Sequence, residues 1–337
     1  MLRQIFKKII LGTKKTLIKI IENVFHGYIT FHLRPKTFYN LNQQADSLKK
    51  YPQTAIIIQG PLLRDDKFTL NTIRIYKKIF KEYPIILTTW EDEDPDYLNE
   101  LKNEGIEIVL NQKPDYPGIS HINYQLVSTS NGIKRAKELG MDYVLKTRTD
   151  LRLYNPNSIE FLANMLKVFP AINDKQRKRI AIGSINTFKY RPYSASDMVM
   201  FGQIDDMTAY WGVAPDTRKT FPPSDLIGDW SRAKLCEVYL SANYLEHLGR
   251  TLEWTIADSW QMYADHFCVF DAQSLDIYWH KYSREREYRR LEYGIMKNDQ
   301  ELTFAEWLAL YAGRENKKTV PETILHAKFT DAIKTEP

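Results

Sequence analysis

The chain has 337 residues, enough for one large α/β domain with peripheral additions or at most two domains. With 43% hydrophobic and 26% charged residues it is not a disordered polymer, and a formal charge of +5 gives no reason to expect nucleic acid as a partner. Cys236 and Cys268 are its only cysteines, which excludes a disulfide framework or a CxxC pair and makes a reducing compartment the simpler setting.

The excess positive charge sits at the start. In MLRQIFKKIILGTKKTLIKIIENVF, apolar residues such as Leu2, Ile5, Phe6, Ile9, Leu17, Ile20 and Val24 recur at helical spacing, with lysines between them. The lysines interrupt every apolar run, so the segment falls short of the ~20 mostly apolar residues of a spanning helix. A signal peptide's uninterrupted apolar centre is missing too. Two readings stand: a basic amphipathic helix lying in an anionic membrane interface, giving peripheral membrane contact through residues 1–25, or a helix packed on the main domain.

After a polar connector around Arg34 to Lys50 the chain alternates. Thr54 to Gln59 (TAIIIQ) reads as a buried strand ended by Gly60-Pro61, and Phe68, Ile73, Tyr76, Ile79 and Phe80 mark a helix. Pro84 to Thr89 is a second strand, followed by the acidic stretch Glu91 to Asp94 and a short helix around Tyr97 to Leu101. Ile106 to Leu110 is a third strand, Asn123 to Leu139 a longer helix closed by Gly140, and Tyr143 to Thr147 a fourth strand. Such alternation predicts an α/β fold with a mainly parallel sheet of right-handed βαβ units. Ligands of these sheets bind beyond the carboxyl ends of the strands, so the loops starting at Gln59, Trp90, Asn111 and Arg148 are expected to converge.

The second half is less regular. Arg179 to Ser184 and Asp197 to Gly202 read as strands; Leu235 to Leu248, Ala257 to Ala264 and Thr303 to Ala312 read as helices. No repeat or glycine-serine linker divides the chain. The expected organisation is a basic segment and connector over 1–45, then one catalytic domain with a C-terminal helical extension over 46–337.

The informative stretch is SNGIKRAKELGMDYVLKTRTDLR, Ser130 to Arg152. A small-residue helix ending in Gly140 leads into an apolar strand that finishes in Arg148-Thr149-Asp150. This resembles the GT-A glycosyltransferase pattern, in which such a strand ends in Asp-x-Asp. The resemblance implies a Rossmann-like fold, a nucleotide-sugar donor, and a divalent ion (Mn²⁺ or Mg²⁺) held by the last Asp, here Asp150. Arg148 replaces the first Asp. An arginine there could contact diphosphate oxygens directly, weakening or removing the need for metal; the alternative for Arg148 and Asp150 is a structural salt bridge with Arg152 or Lys146 at the strand end.

The fragments IIIQGPL, LTTWEDED, NYQLVSTSNGIKRA, VLKTRTDLR, SASDMVMFG and EVYLSANYL, in this order from about Ala55 to Tyr282, are similar to the WavE family of lipopolysaccharide-synthesis proteins. That resemblance implies sugar transfer during synthesis of surface polysaccharide, while donor, acceptor and stereochemistry do not carry across; with the GT-A pattern, the expected reaction is transfer from a nucleotide sugar to a lipid-linked or glycan acceptor of the cell envelope. The basic N-terminal segment and the sparse cysteines make the inner face of the cytoplasmic membrane the expected place of work. Two alternatives remain open: a sugar nucleotidyltransferase, disfavoured by a loop, GPLLRDDK, with a single glycine, and a non-catalytic glycan- or membrane-binding protein of the same fold.

Roles follow from sheet geometry. Gln59, Gly60 and Pro61 stand where the base and ribose would lie, or form a plain turn. Trp90 and Glu91 suit a nucleobase and ribose hydroxyls. Asn123, Gln125 and Ser128 open the helix before the Arg-x-Asp strand, as donor contacts or as caps. Glu237, slightly favoured, and Asp197 are the candidate bases for an acceptor hydroxyl. Lys281, in the cluster Trp279, His280, Lys281, Tyr282 and Arg284, is a candidate phosphate contact.

Overall fold

In the computed structural model, the residues described are 13, 16–24, 34–40, 53–172, 174–221, 224–281, 295–297, 300–313, 322–328 and 332–334. The chain forms two compact units, Met1–Lys36 and Thr37–Pro337. In the first, residues 16–24 are helical, and Leu17, Ile20 and Val24, three and four positions apart, are all more than half exposed. The remainder of the amphipathic pattern lies outside the described residues, as does most of the connector. No helix among the described residues is long and apolar enough to cross a membrane.

The second unit is built on a seven-stranded sheet. Its first half follows the alternation read from sequence: β1 (Thr54–Gln59), α1 (Phe68–Ile79), β2 (Ile85–Trp90), α2 (Pro95–Lys102), β3 (Glu107–Asn111), α3 (Ile122–Glu138) and β4 (Tyr143–Arg148). Every residue of β1 and β2 is buried, as expected of parallel strands covered on both faces. Ile56, Ile57 and Ile58 are wholly inaccessible, each stabilising the fold by about 1.5–3 kcal/mol. Leu70, Ile73, Tyr76 and Ile79, three residues apart, give α1 its buried face.

The glycine of the SNG motif has a packing reason. A β-carbon on Gly132 would come 2.8 Å from Cγ2 of Ile57, so only glycine lets α3 approach β1 this closely. The asparagine beside it is also committed: Asn131 Nδ2 donates to Asn111 Oδ1 (2.7 Å), and Asn111 Nδ2 donates to Thr88 Oγ1 (2.9 Å). This polar chain, buried at Asn111 and Thr88, fixes α3 against the ends of β2 and β3.

The second half holds β5 (Leu151–Leu153), α4 (Ser158–Val168), β6 (Ile180–Gly183), β7 (Met200–Gln203), α5 (Ile204–Trp211), α6 (Ile227–Arg232), α7 (Glu237–His247), α8 (Ile256–His266), β8 (Phe267–Phe270) and β9 (Ile277–Trp279). Beyond them lie β10 (Ile295–Lys297), α9 (Phe304–Tyr311) and β11 (Ala332–Lys334). The sheet order is β3-β2-β1-β4-β7-β6-β8. Strands β1 to β4 are parallel; β7 runs antiparallel to both β4 and β6, and β6 and β8 are parallel. The α/β fold with a mainly parallel central sheet is therefore the one observed, and one reversed strand joins its halves. Separately, β5 pairs with β9, setting Leu151 opposite Trp279. That ribbon carries residues 279–281 to the end of β4.

Candidate functional site

The loops after β1, β2, β3 and β4 converge on one cleft of about 960 Å³ at the carboxyl ends of the parallel strands. From β1 come Gln59, Gly60 and Pro61; from β2, Trp90, Asp92 and Glu93; from β3, Lys113; from β4, Arg148, Thr149 and Asp150. The turn before α3 adds Ser120 and His121, the first turn of α3 adds Tyr124 and Gln125, and the chain after β9 adds His280 and Lys281. Sheet topology alone puts these groups together.

Arg148 and Asp150 face each other across one residue. Nε of Arg148 donates to Oδ1 of Asp150 at 2.8 Å and its Nη2 to Oδ2 at 2.9 Å, a bidentate pair on the cleft wall. Their side chains are 26% and 15% exposed, so the pair is open to the cleft rather than sealed in the core. Trp279 Nε1 donates to Oδ2 at 3.1 Å, and the amide of His280 to the Asp150 carbonyl at 3.0 Å. Burial alone would raise the Asp150 carboxyl. The hydrogen bonds and charge of Arg148, with the Trp279 bond, hold it below the ordinary aspartate value. A strand-end salt bridge is present, but it joins Arg148 to Asp150 and not either of them to Arg152 or Lys146, the partners suggested by sequence. Arg152 instead is buried, bonded to Thr72 Oγ1 (2.9 Å), the Tyr154 hydroxyl (3.0 Å) and the Phe68 carbonyl (3.0 Å).

Gln59, Gly60 and Pro61 both floor the cleft and latch β1 to β4. Thr149 Oγ1 donates to the Pro61 carbonyl at 2.6 Å, and the Thr149 amide to the Gln59 carbonyl at 3.0 Å. Gly60 has φ +129°, and a β-carbon there would meet Thr149 Oγ1 at 2.9 Å; the turn requires glycine on both counts. Gln59 Nε2 donates to Ser128 Oγ at 2.9 Å, so Ser128 is a buried support beneath the cleft.

The far wall is aromatic. Trp90 and Tyr124 meet edge to face at 5.4 Å, His121 lies 5.8 Å from Tyr124, and the Lys113 ammonium sits 6.0 Å over Trp90. Ser120 and His121 have φ of 58° and 61°, left-handed values uncommon outside glycine. Within the acidic stretch, Asp92 and Glu93 line the cleft, and Glu91 is exposed outside its lining. Glu93 accepts from the Leu62 amide (2.8 Å) and Thr89 Oγ1 (3.1 Å), tying two of the converging loops together. Asp92, Lys113 and Tyr124 were not singled out from sequence, although Lys113 sits in a loop the strand-end rule names and Tyr124 lies inside NYQLVSTSNG.

Three further candidates stand apart from the lining. Asn123 is buried, its amide donating to the Tyr116 and Asp216 carbonyls (3.1 and 2.8 Å) and accepting from the Asp216 amide (2.7 Å); it staples two loops together. Glu237 is closed in, with a side chain 12% exposed, paired with Arg191 at 3.3 Å and accepting from the Ser194 hydroxyl. Burial raises its carboxyl above the ordinary glutamate value despite both partners. Asp197 lies near Glu237, 8% exposed, with no side-chain hydrogen-bond or ion-pair partner among the described residues. Its backbone carbonyl accepts from buried Lys146, which burial lowers to about 8 and whose ammonium lies 4.8 Å over Trp211. Lys281 lines the cleft; Tyr282 and Arg284 lie outside the described residues.

The donor set does not fit the divalent ion that Asp-x-Asp implies. Both Asp150 oxygens already accept from Arg148, and no three His, Cys, Asp or Glu side chains come together as a metal site among the described residues. What the cleft presents at the end of β4 is a fixed guanidinium held by a carboxylate, with Lys281 on the same wall.

Comparison with solved structures finds weak likenesses. A Desulfovibrio desulfuricans G20 protein described as a nucleotide-diphospho-sugar transferase is 10% identical, with 79% of this chain and 100% of that one covered and a TM-score of 0.37. A mannosyltransferase from Pyrobaculum calidifontis, in complex with GDP-Man and Mn²⁺, is 9% identical over 57% of this chain and 56% of its own, at a TM-score of 0.32. A 4-diphosphocytidyl-2C-methyl-D-erythritol synthase is 9% identical over 50% and 82%, at 0.33. Among curated proteins no match is found. The family described as WavE lipopolysaccharide synthesis, however, matches residues 54–335, nearly the whole second unit and most of the sequence. The chain belongs to the WavE lipopolysaccharide synthesis family.

Proposed function

We propose that this WavE-family glycosyltransferase binds a nucleotide-sugar donor in the β1–β4 cleft and moves its sugar to a cell-envelope glycan, lipopolysaccharide or capsule. One observation carries the reading: the Arg148–Asp150 pair is open to a cleft at the strand carboxyl ends, opposite an aromatic wall. A flat base suits Trp90 and Tyr124, and a diphosphate suits Arg148 and Lys281. In transfer, the bond from the anomeric carbon to the diphosphate oxygen breaks and the acceptor oxygen takes its place. Negative charge grows on the leaving diphosphate, where a preset guanidinium stabilises it without reorganising. Asp150 holds that guanidinium in register.

The acceptor proton needs a base. Neither of the two carboxylates considered lines the cleft; Glu237 is also committed to Arg191 and Ser194, so of the two we favour Asp197, whose side chain has no described partner. Lys146, which touches the Asp197 backbone, lies two residues before Arg148 on β4 and so on the same face of the sheet. For the N-terminal unit we propose peripheral contact with the inner face of the cytoplasmic membrane, supported by the exposed Leu17, Ile20 and Val24 stripe amid lysines. Deleting residues 1–25 is then expected to shift the protein to the soluble fraction, and unaltered fractionation would count against it. The transfer reading is tested by incubating the protein with UDP-, GDP- and CMP-sugars and an envelope glycan extract. Release of nucleotide that depends on acceptor and disappears in Arg148→Ala supports it; release from no donor refutes it.

A further inference from the structure

A second cavity, of about 270 Å³, lies between α8 and α9, and its floor is Arg179. Arg179 is 1% exposed. Its Nη1 donates to the Pro170 carbonyl at 3.1 Å and its Cζ lies 5.0 Å from the centre of the Tyr311 ring. Nε is buried with no hydrogen-bond partner, and no carboxylate pairs with this guanidinium among the described residues. Asp265 lines the same cavity but is committed elsewhere, to Arg250 Nη1 at 3.0 Å and Gln261 Nε2 at 2.7 Å. Asp265 attracts the guanidinium without bonding it; burial with no directly bonded carboxylate among the described residues remains costly, and an anion entering the cavity would offset that cost with charge-assisted hydrogen bonds.

The site is remote from the cleft. Both β4 and β6 run antiparallel to β7, so they are parallel to each other. Arg148 ends β4 at its carboxyl end, whereas Arg179 immediately precedes the amino end of β6. The two arginines therefore stand at opposite edges of the sheet. The cavity walls include Trp260, 7% exposed, and Tyr311, 36% exposed and stacked on Trp307, which give it an aromatic side, and Gln261 adds a polar side chain. The volume is below the range typical of drug-sized ligands, which excludes a whole nucleotide sugar.

We propose that this cavity binds a single anionic monosaccharide, its carboxylate or phosphate on Arg179 and its ring against Trp260 and Tyr311. Such a site would hold an acidic sugar away from the cleft where transfer takes place.

The test is thermal unfolding of the full chain with glucuronate, glucose 6-phosphate and glucose. Glucuronate or glucose 6-phosphate at about 100 times its dissociation constant is expected to raise Tm by roughly 2–5 °C, and glucose to leave it unchanged. The larger of the two anion shifts tells carboxylate from phosphate. The shift disappears in Arg179→Gln. It also disappears in Ala257→Leu, which fills the cavity from α8 and leaves the arginine in place, in protein whose circular dichroism matches wild type. No shift from either anion, or one that survives either variant, overturns the proposal.

Discussion

Two of the protein's arginine–carboxylate pairs, Arg148–Asp150 and Arg191–Glu237, differ more in their surroundings than in their chemistry. Arg148–Asp150 stands on the wall of an open cleft at the end of a parallel strand, short and bidentate. Arg191–Glu237 is closed within the second half of the sheet domain, a single contact at 3.3 Å, its guanidinium 3.9 Å over Phe188 and 4.5 Å over Trp230. Burial dominates the second pair and raises its acid; in the first, the hydrogen bonds prevail over burial and the acid is lowered. A strong pair in a cleft is poised to meet a ligand, and a desolvated one in the core fixes packing. Sequence pattern does not separate them, because the distinction lies in what faces each pair.

Breaking the closed pair has the largest expected effect. Glu237→Ala strips the Arg191 guanidinium of its carboxylate and is expected to cost about 3–5 kcal/mol in urea unfolding. A loss below about 1 kcal/mol would mean that Glu237 is not structural. Breaking the open pair acts on turnover. Asp150→Ala is expected to keep the fold and lower sugar transfer by about 10²–10³-fold, since it releases the guanidinium from its position. Unchanged transfer in that variant would remove Asp150 from the site. Gly132→Ala tests the packing that sets the cleft's geometry, and overpacking against Ile57 is expected to cost about 1–3 kcal/mol.

The smallest effect sharpens the contrast through its sign. Glu237, raised in the folded state, makes the wild type lose stability relative to Glu237→Gln as pH rises above 4.5, its unperturbed value. Asp150, lowered in the folded state, makes the wild type lose stability relative to Asp150→Asn as pH falls below 3.8. His266, which burial lowers to about 4, adds to all the variants a common loss as pH falls from 6.5, so it cancels in the differences. Difference curves from urea unfolding between pH 3 and 7 should therefore slope in opposite directions. Slopes of one sign would contradict the distinction.

The first half of the fold was legible because buried parallel strands write themselves as continuous β-branched runs. TAIIIQ reads as β1 over the same residues, and the Gln59, Trp90 and Arg148 strand ends then imply the cleft. The second half was less so. The strands β5 and β9 are three residues each, too short for a periodic signal, yet they bring Lys281 beside Arg148. The helix α4 and strand β8 were also missed, the latter because FCVF follows α8 without a break. Asn123 matched a motif and proved to be a loop staple. Asp92, Lys113 and Tyr124 were hidden by lying in loops and helix starts, where residue type says little about direction.

The central claim is that Arg148, held by Asp150, grips the diphosphate of a bound nucleotide. Thermal shift of wild type and Arg148→Ala with UDP, GDP and CDP, in EDTA and again with Mn²⁺, tests it most directly. The account predicts that at least one nucleoside diphosphate stabilises the wild type in EDTA and that Arg148→Ala abolishes the shift. Stabilisation by none of them, or an equal shift in the variant, would contradict it.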